Sequence, residues 1–311
     1  MEYVVGNDYE FYGKIDSINP STYETYPVII SNENCEKVVL RATPDMSFSN
    51  NKVYYFKCTA INFKERVHLQ INEFTFIDDI ELSIEERNSV MVKFYEYAPV
   101  PINELQTYIE SKINSIENEV IKKITTNIYE KYKSNFYLYP AGTKLHHSYI
   151  SGLAFHTKSM LAISEGLINE YPLVSKDLVY AGILLHDVAK TLEFTCYEGA
   201  EYSKEGKLIG HISLAFREIE KEAVKLGLEN TEEVLMLQHV ILSHHYHGNF
   251  GSPKRPMMIE ALIVHLVDNI DSKMRVVSEE LSQVNVGEFT DMIQVCDKEK
   301  YYRHKLNIDK E

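Results

Sequence analysis

The side chains best suited to bind metal ions in this sequence come from five separate segments, each presenting a histidine or an aspartate from a predicted apolar helix. Imidazole nitrogens are borderline ligands, and carboxylate oxygens are hard ligands that can bridge two cations. Together they predict a site that binds metal ions, and such ions can activate a water molecule. The candidate ligands are His156, His186, Asp187, His211, His244, His245 and Asp268.

Each of these segments has a simpler interpretation when it is taken alone. The His186-Asp187 pair follows the apolar run 183–185 and fits equally well a helix end with a capping histidine and a solvated aspartate. His156 alone fits a packed core histidine. Asp268 is harder to explain, because an unpaired carboxylate inside an apolar helix costs several kcal/mol. Five such segments in one chain therefore predict a shared metal site.

The N-terminal part of the chain reads as β-structure. Short runs rich in β-branched and aromatic residues alternate with turn signals, which predicts a small barrel over residues 1–82. The runs are Tyr26–Ser31, Lys37–Arg41, Lys52–Ile61 and Arg66–Phe76.

The pattern changes at Ser83, where a capping-box pattern with Glu86 opens a helical run. Apolar residues then recur at three- and four-residue steps, as in amphipathic helices. The sequence predicts an α+β multidomain chain in which the barrel is followed by an all-α domain. The predicted segments after the barrel are a helical connector over 83–139, the all-α domain over 140–290 and a C-terminal tail over 291–311.

The overall composition and charge limit the classes of protein to which this chain can belong. The net charge of −14 argues against a protein that coats duplex nucleic acid by bulk electrostatics. The sequence has no signal-peptide pattern and no run approaching the roughly 20 apolar residues that span a bilayer. The four cysteines form no CxxC pair or disulfide framework. These features predict a cytoplasmic protein with no membrane partner.

The order of the histidine and aspartate motifs resembles the HD-domain metallophosphohydrolases. More narrowly, it resembles the YhaM-type 3′→5′ exoribonucleases, which join an N-terminal OB-fold to an HD domain. The resemblance covers nearly the whole chain. The matching segments are residues 147–153, 156–157, 180–187, 210–212, 241–245, 251–253 and 268–274.

This resemblance implies a metal-dependent 3′→5′ exonuclease that hydrolyses single-stranded RNA, with DNA as an open alternative substrate. It implies two divalent transition-metal ions. Manganese (Mn2+) is the favoured metal, with iron, cobalt or nickel as alternatives. Asp187 would be the shared, catalytic ligand, and Lys190 would hold a phosphate oxygen. The first ion would take His156, His186, Asp187 and Asp268, and the second Asp187, His211, His244 and His245.

The sequence departs from the family pattern at several positions. Ala189 replaces the usual glycine between the His-Asp pair and the lysine. Tyr246 and His247 intervene before Gly248, where a glycine usually follows the histidine pair. Gly152 stands where some relatives carry a carboxylate for a third ion, so no third metal is expected there.

Residues that contact the substrate are harder to predict. His147 lies in a matching segment and is a candidate substrate contact. Asp271 follows Asp268 on the same helix face, and it would either orient another side chain or contact a 2′-hydroxyl. OB-folds bind single strands by aromatic stacking and a basic groove. The barrel candidates are Tyr54, Phe56, Lys57, Phe63, Lys64 and Arg66.

Other interpretations remain open at this level. Most of the barrel aromatics fit a hydrophobic core, and residues 1–90 carry 8 basic against 15 acidic side chains. The chain could be another HD enzyme acting on nucleotides or cyclic dinucleotides. It could also be a non-catalytic nucleic-acid-binding factor of replication or repair. A homo-oligomer is left open.

Overall fold

The computed structural model describes residues 3–19, 24–142, 147–197 and 201–306. The chain divides into two compact units, Met1–Tyr97 and Ala98–Glu311. Within the described ranges, no helix is long and apolar enough to cross a lipid bilayer.

The first unit is a closed five-stranded barrel with the strand order β1-β2-β3-β5-β4. The barrel closes because β1 pairs antiparallel with both β2 and β4, while β3 and β5 pair in parallel. In β2, buried and half-buried residues alternate, as expected when one strand face points into a core. The strands are β1 Asp8–Ile18, β2 Tyr26–Asn32, β3 Lys37–Ala42, β4 Val53–Phe63 and β5 Arg66–Phe76.

A short helix, α1 (Ile84–Met91), completes the barrel unit. It begins with a reciprocal capping box, because the Ser83 N–H donates to Glu86 Oε2 at 2.9 Å and the Glu86 N–H donates to Ser83 Oγ at 3.2 Å.

The second unit is helical and buries one large apolar core. Its longest helices carry apolar faces at the three- and four-residue steps read from the sequence. The helices are α2 Ile102–Asn114, α3 Glu119–Phe136, α4 Gly152–Glu170, α5 Lys176–Leu185, α6 Lys190–Glu193, α7 Lys204–Leu208, α8 His211–Leu226, α9 Glu232–Ser243 and α10 Ile259–Gln283.

The predicted α+β architecture, a small barrel followed by a helical domain, is confirmed. The divisions between segments differ from those predicted. Helix α1 belongs to the barrel unit, whereas α2 and α3 belong to the helical unit because Ile109 and Ile124 lie fully buried in its core. Residues 83–139 therefore do not form a separate connector.

The segment predicted as a C-terminal tail is folded over most of its length. The Gly287 N–H donates to the Arg303 carbonyl at 2.7 Å, and the Thr290 N–H donates to the Tyr301 carbonyl at 2.9 Å. A small apolar cluster joins this hairpin to the end of α10. Its buried members are Val276, Val277, Ile293 and Cys296. Residues 307–311 of the predicted tail lie outside the described ranges.

Candidate metal centre

Five helical segments of the second unit supply the candidate ligands. His156 lies in α4, His186 and Asp187 follow α5, His211 begins α8, the histidine pair follows α9, and Asp268 lies in α10. Gly182 allows the close approach of three of these helices. A Cβ at this position would lie 2.7 Å from Val240 Cγ1 and 3.1 Å from Val264 Cγ2, so a larger side chain would push α5 away from α9 and α10.

The histidine rings are fixed in one orientation by their Nδ1 atoms. His186 Nδ1 lies 2.7 Å from the Ile183 carbonyl oxygen, and His244 Nδ1 lies 2.7 Å from the Ile241 carbonyl oxygen. A carbonyl can only accept, so Nδ1 carries the proton in both rings and Nε2 keeps its lone pair. Both imidazoles are therefore held in the form that binds a metal ion through Nε2.

Several atoms that face this centre have no hydrogen-bond partner among the described residues. They are buried, and a buried polar atom without a partner is rare and costly. The atoms are Nε2 of His186, His211 and His244 and Oδ1 of Asp187. Lone pairs of nitrogen and oxygen that point into one small volume are the donor set that a divalent cation satisfies. The residues present therefore fit bound metal ions.

The candidate ligand atoms form two sets that share Asp187. Within each set, the atoms lie within 4.8 Å of one another. One carboxylate oxygen of Asp187, Oδ2, is 3.2 Å from His186 Nε2, and the other, Oδ1, is 3.4 Å from His211 Nε2. The first set is His156, His186 and Asp187, and the second is Asp187, His211, His244 and His245.

Asp268 lies beside the first set, with Oδ1 3.3 Å from His156 Nε2. Burial alone would lower the pKa of His156, but Asp268 and Asp271 outweigh it and raise the pKa to about 9. The two carboxylates thus favour a positive charge at this position. A metal ion supplies such a charge when it replaces the imidazole proton.

The carboxylate of Asp187 is paired with Lys190, whose Nζ donates to Oδ2 at 2.6 Å. Burial would raise the pKa of Asp187, but the charge of Lys190 holds that pKa well below its ordinary range. The charge of Asp187 in turn raises the pKa of Lys190 against the effect of burial. This buried pair keeps Asp187 ionised, as a bridging ligand must be.

His147, predicted as a substrate contact, and Asp271, predicted either to orient another side chain or to contact a 2′-hydroxyl, are both buried. The Asp271 carboxylate lies 2.7 Å from His147 Nε2 and 2.7 Å from His156 Nδ1, and His147 Nδ1 lies 2.9 Å from the Tyr149 hydroxyl. With 1% of its surface exposed, His147 has no face to offer a substrate. Of the two roles left open for Asp271, its contact with His156 Nδ1 supports orientation of the His156 ring.

Glu193 is a buried site residue that the sequence did not reveal. Its carboxylate accepts a hydrogen bond from the His211 N–H at 3.0 Å, and both oxygens lie 3.1 Å from His211 Nδ1. Glu193 therefore fixes the His211 ring through Nδ1, as the Ile183 carbonyl fixes the His186 ring. Glu193 ends a four-residue helix, and its partner is 18 residues away. No periodicity or local motif links the two positions.

Two of the barrel candidates are buried, and a third is exposed but paired with a carboxylate. Phe56 is fully buried in the barrel core, which corrects its assignment as a stacking residue, because it has no exposed ring face. Tyr54 is also buried, and its hydroxyl accepts from the Ser49 N–H at 3.0 Å. Lys57 is paired with Glu73 at 2.8 Å.

The other three barrel candidates lie together at the β4–β5 turn. Phe63 is half-buried, whereas Lys64 and Arg66 are exposed. The Arg41 guanidinium lies 4.1 Å from the Phe63 ring centre, and Lys64 Nζ lies 5.5 Å from it. Aromatic and basic groups are therefore combined at this turn, as a single-strand binding surface requires.

Comparison with known proteins gives a family match and close relatives. Residues 153–273 match the family model of the HD domain. A protein of Geobacillus sp. (strain WCH70) named 3′-5′ exoribonuclease YhaM is 40% identical over 242 residues, which cover 78% of this chain and 72% of that protein. A protein of Shouchella clausii (strain KSM-K16) with the same name is 38% identical over 271 residues, or 85% and 82% of the two chains.

Among solved structures, a replication protein A heterotrimer bound to ssDNA is matched with a TM-score of 0.22 and 12% identity. The match covers 29% of this chain and 68% of that chain. A TM-score this low supports no conclusion.

Proposed function

This chain belongs to the YhaM family of 3′-5′ exoribonucleases, and we propose that its two ligand sets bind two divalent metal ions and hydrolyse the 3′-terminal phosphodiester of single-stranded RNA. The buried histidine Nε2 atoms carry the proposal. Each is fixed by a partner on the opposite ring nitrogen, and those of His186, His211 and His244 lack a hydrogen-bond partner in the described ranges. A structural role for these rings would leave that pattern unexplained.

The ligand types favour a transition metal. A site with more imidazole than carboxylate suits manganese, iron, cobalt or nickel better than magnesium, which prefers oxygen ligands. We propose manganese as the preferred metal of both sites. When bound, such ions lower the pKa of a coordinated water and offset charge on the phosphoryl oxygens.

The side chains of the centre would then have distinct roles. Asp187 would contact both ions, because its two oxygens face the two sets. Lys190 would hold the orientation of Asp187 and keep it ionised; with 12% of its side chain exposed, it also retains a small surface toward a phosphate oxygen. Asp268 would complete the first set beside His156.

The experiment that tests this proposal follows an RNA labelled at its 5′ end. With manganese, the full chain should shorten the label stepwise from the 3′ side and release mononucleotides, and metal analysis should find close to two ions per chain. A DNA oligonucleotide run in parallel tests the substrate range.

Three outcomes would contradict parts of the proposal. Internal cuts in a circular RNA would indicate an endonuclease. Turnover of a cyclic dinucleotide with no action on oligonucleotides would favour the alternative HD activity. A metal content near zero after manganese reconstitution would exclude the two-ion centre.

A further inference from the structure

The loop over residues 246–258 directly follows the metal ligands His244 and His245 and begins with a strained residue. Tyr246 has a φ of +64°, in the left-handed region that glycine adopts at no steric cost. A bulky residue in this region is an outlier and costs free energy. Such strain persists only where surrounding contacts hold it, and it is concentrated at functional sites.

The contacts that hold Tyr246 come from two directions. Its ring centre lies 5.1 Å from that of His265, whose Nδ1 is 2.7 Å from the His244 carbonyl oxygen. The Arg255 guanidinium lies 5.3 Å from the same tyrosine ring. The ring therefore links an exposed arginine to a histidine that contacts the backbone of a candidate ligand.

Hydrogen bonds also fix the remainder of the loop to His245 and to helix α9. The His245 N–H donates to the buried Ser252 Oγ at 3.0 Å, and the Met257 N–H donates to His239 Nε2 at 2.9 Å. The position of Arg255 relative to the metal ligands is thus set by hydrogen bonds on both sides of it in the chain.

The charges on this loop are not balanced by the protein. Lys254 and Arg255 are both exposed, and neither forms an ion pair with any carboxylate among the described residues. This is notable in a chain with 46 acidic against 32 basic residues. Two adjacent cations that lie on the loop following the candidate ligands His244 and His245 and lack carboxylate partners fit an anionic ligand.

We propose that Arg255, held by Tyr246 and assisted by Lys254, binds the RNA backbone phosphate adjacent to the scissile phosphodiester. The planar guanidinium presents several N–H donors to phosphate oxygens, and an aromatic ring limits its motion without neutralising its charge. Tyr246 is then a positioning residue, and the strained backbone is the cost of placing a ring at this point. This proposal rests on the function proposed above.

Substrate length separates this role from catalysis. A dinucleotide without terminal phosphates contains only the scissile phosphodiester, whereas a trinucleotide contains one more. Arg255→Ala should raise the KM for the trinucleotide about tenfold, equivalent to about 1.4 kcal/mol, with kcat little changed. Its kinetics on the dinucleotide and on bis-p-nitrophenyl phosphate should equal those of the wild type. Lys254→Ala should give a smaller rise, and each variant should reduce the salt dependence of RNA binding by about one phosphate contact.

Tyr246→Gly tests the positioning role without strain on the fold, because glycine adopts the observed φ. It should raise the KM for the trinucleotide by a few fold, whereas Tyr246→Phe, which keeps the ring, should behave as the wild type. Lys300→Ala, which removes an exposed charge from the C-terminal hairpin, is the matched control and should have no effect.

Two results would overturn the inference. One is an unchanged trinucleotide KM in Arg255→Ala. The other is an equal loss on dinucleotide and trinucleotide, which would place Arg255 at the scissile phosphate. If the wild type hydrolyses none of these substrates with manganese, it is the proposed function that fails.

Discussion

Asp271 Oδ2 lies 2.7 Å from Nδ1 of His156, on the side of the ring opposite the Nε2 that faces Asp268. A carboxylate in this position fixes the tautomer and orientation of a ligating imidazole and raises its basicity. Burial would raise the pKa of Asp271, but its hydrogen bonds with His147 and His156 hold that pKa far below its ordinary range. Asp271 is therefore an anion that orients the first set.

Asp271→Ala should lower the affinity for the ion of the first set by about 10- to 100-fold, the usual effect of losing such a partner. Manganese titration by calorimetry should show one weakened and one unaltered site. Asp291→Ala removes an exposed aspartate and serves as control. Two unaltered sites in Asp271→Ala would mean that Asp271 has no part in orienting a ligand.

Glu193→Gln should weaken the ion of the second set by a similar factor. A glutamine that presents its NH2 group to His211 Nδ1 would favour the tautomer protonated on Nε2, which cannot bind a metal. Titration with manganese should show an affected site that differs from the one affected in Asp271→Ala. Glu201→Gln, an exposed substitution nearby, is the control. If Glu193→Gln weakened the same site as Asp271→Ala, the assignment of Glu193 to the second set would be contradicted.

Loss of Asp187 should abolish hydrolysis, because both ions would lose a ligand. Asp187→Asn alone also leaves Lys190 buried without its partner, and breaking a buried pair costs roughly 3–5 kcal/mol. The double variant Asp187→Asn/Lys190→Met avoids this cost and should keep the circular dichroism of the wild type. It should lose more than 90% of the activity on bis-p-nitrophenyl phosphate; retention of a tenth or more would show that Asp187 is not the shared ligand.

Glu218 should make the helical unit sensitive to acid. It lies buried beside Lys131, accepts from the Tyr132 hydroxyl at 2.7 Å, and has its pKa lowered to about 2 against the effect of burial. Because its pKa is lowered in the folded state, ionised Glu218 stabilises the fold above pH 4.5, its ordinary pKa. This stability is lost as the pH falls towards 2. Its contribution at neutral pH is at most about 3 kcal/mol.

Glu218→Gln should therefore melt at a lower temperature than the wild type at pH 7, and the difference should shrink below pH 4.5. Thermal denaturation with EDTA present measures this without contributions from metal binding. Glu119→Gln is the control, because Glu119 is 88% exposed in a 4.0 Å pair with Lys123, and such pairs contribute about 0–1 kcal/mol. A pH-independent difference would show that the effect is one of packing.

A protein that begins at Ala98 should keep the catalytic centre and lose strand affinity. The helical unit has its own apolar core, and all seven candidate ligands belong to this unit. The truncated protein should hydrolyse bis-p-nitrophenyl phosphate with manganese at the rate of the full chain. Its affinity for long RNA should fall, because stacking contributes roughly 1–3 kcal/mol per base. Equal activity on long RNA with and without residues 1–97 would show that the barrel does not bind the substrate.

The sequence by itself determined the family and the residue types of the centre. Asp268 inside an apolar helix and the His186-Asp187 pair at a helix end are local signals, because their cost or rarity can be read without knowing what lies opposite. The barrel and the helical domain were likewise predicted, since the periods of two and 3.6 residues are local properties of the chain. The family predicted from the motifs was confirmed by the relatives.

The tertiary structure decided what no local pattern specifies. Glu193 meets His211 across 18 residues, and Asp271 meets His147 across 124, so their roles depend on how helices pack rather than on neighbouring sequence. Phe56 illustrates the same limit, because strand alternation cannot tell which face closes around the barrel core. The left-handed backbone of Tyr246 is set by the contacts of its ring, since the chain there would otherwise favour glycine.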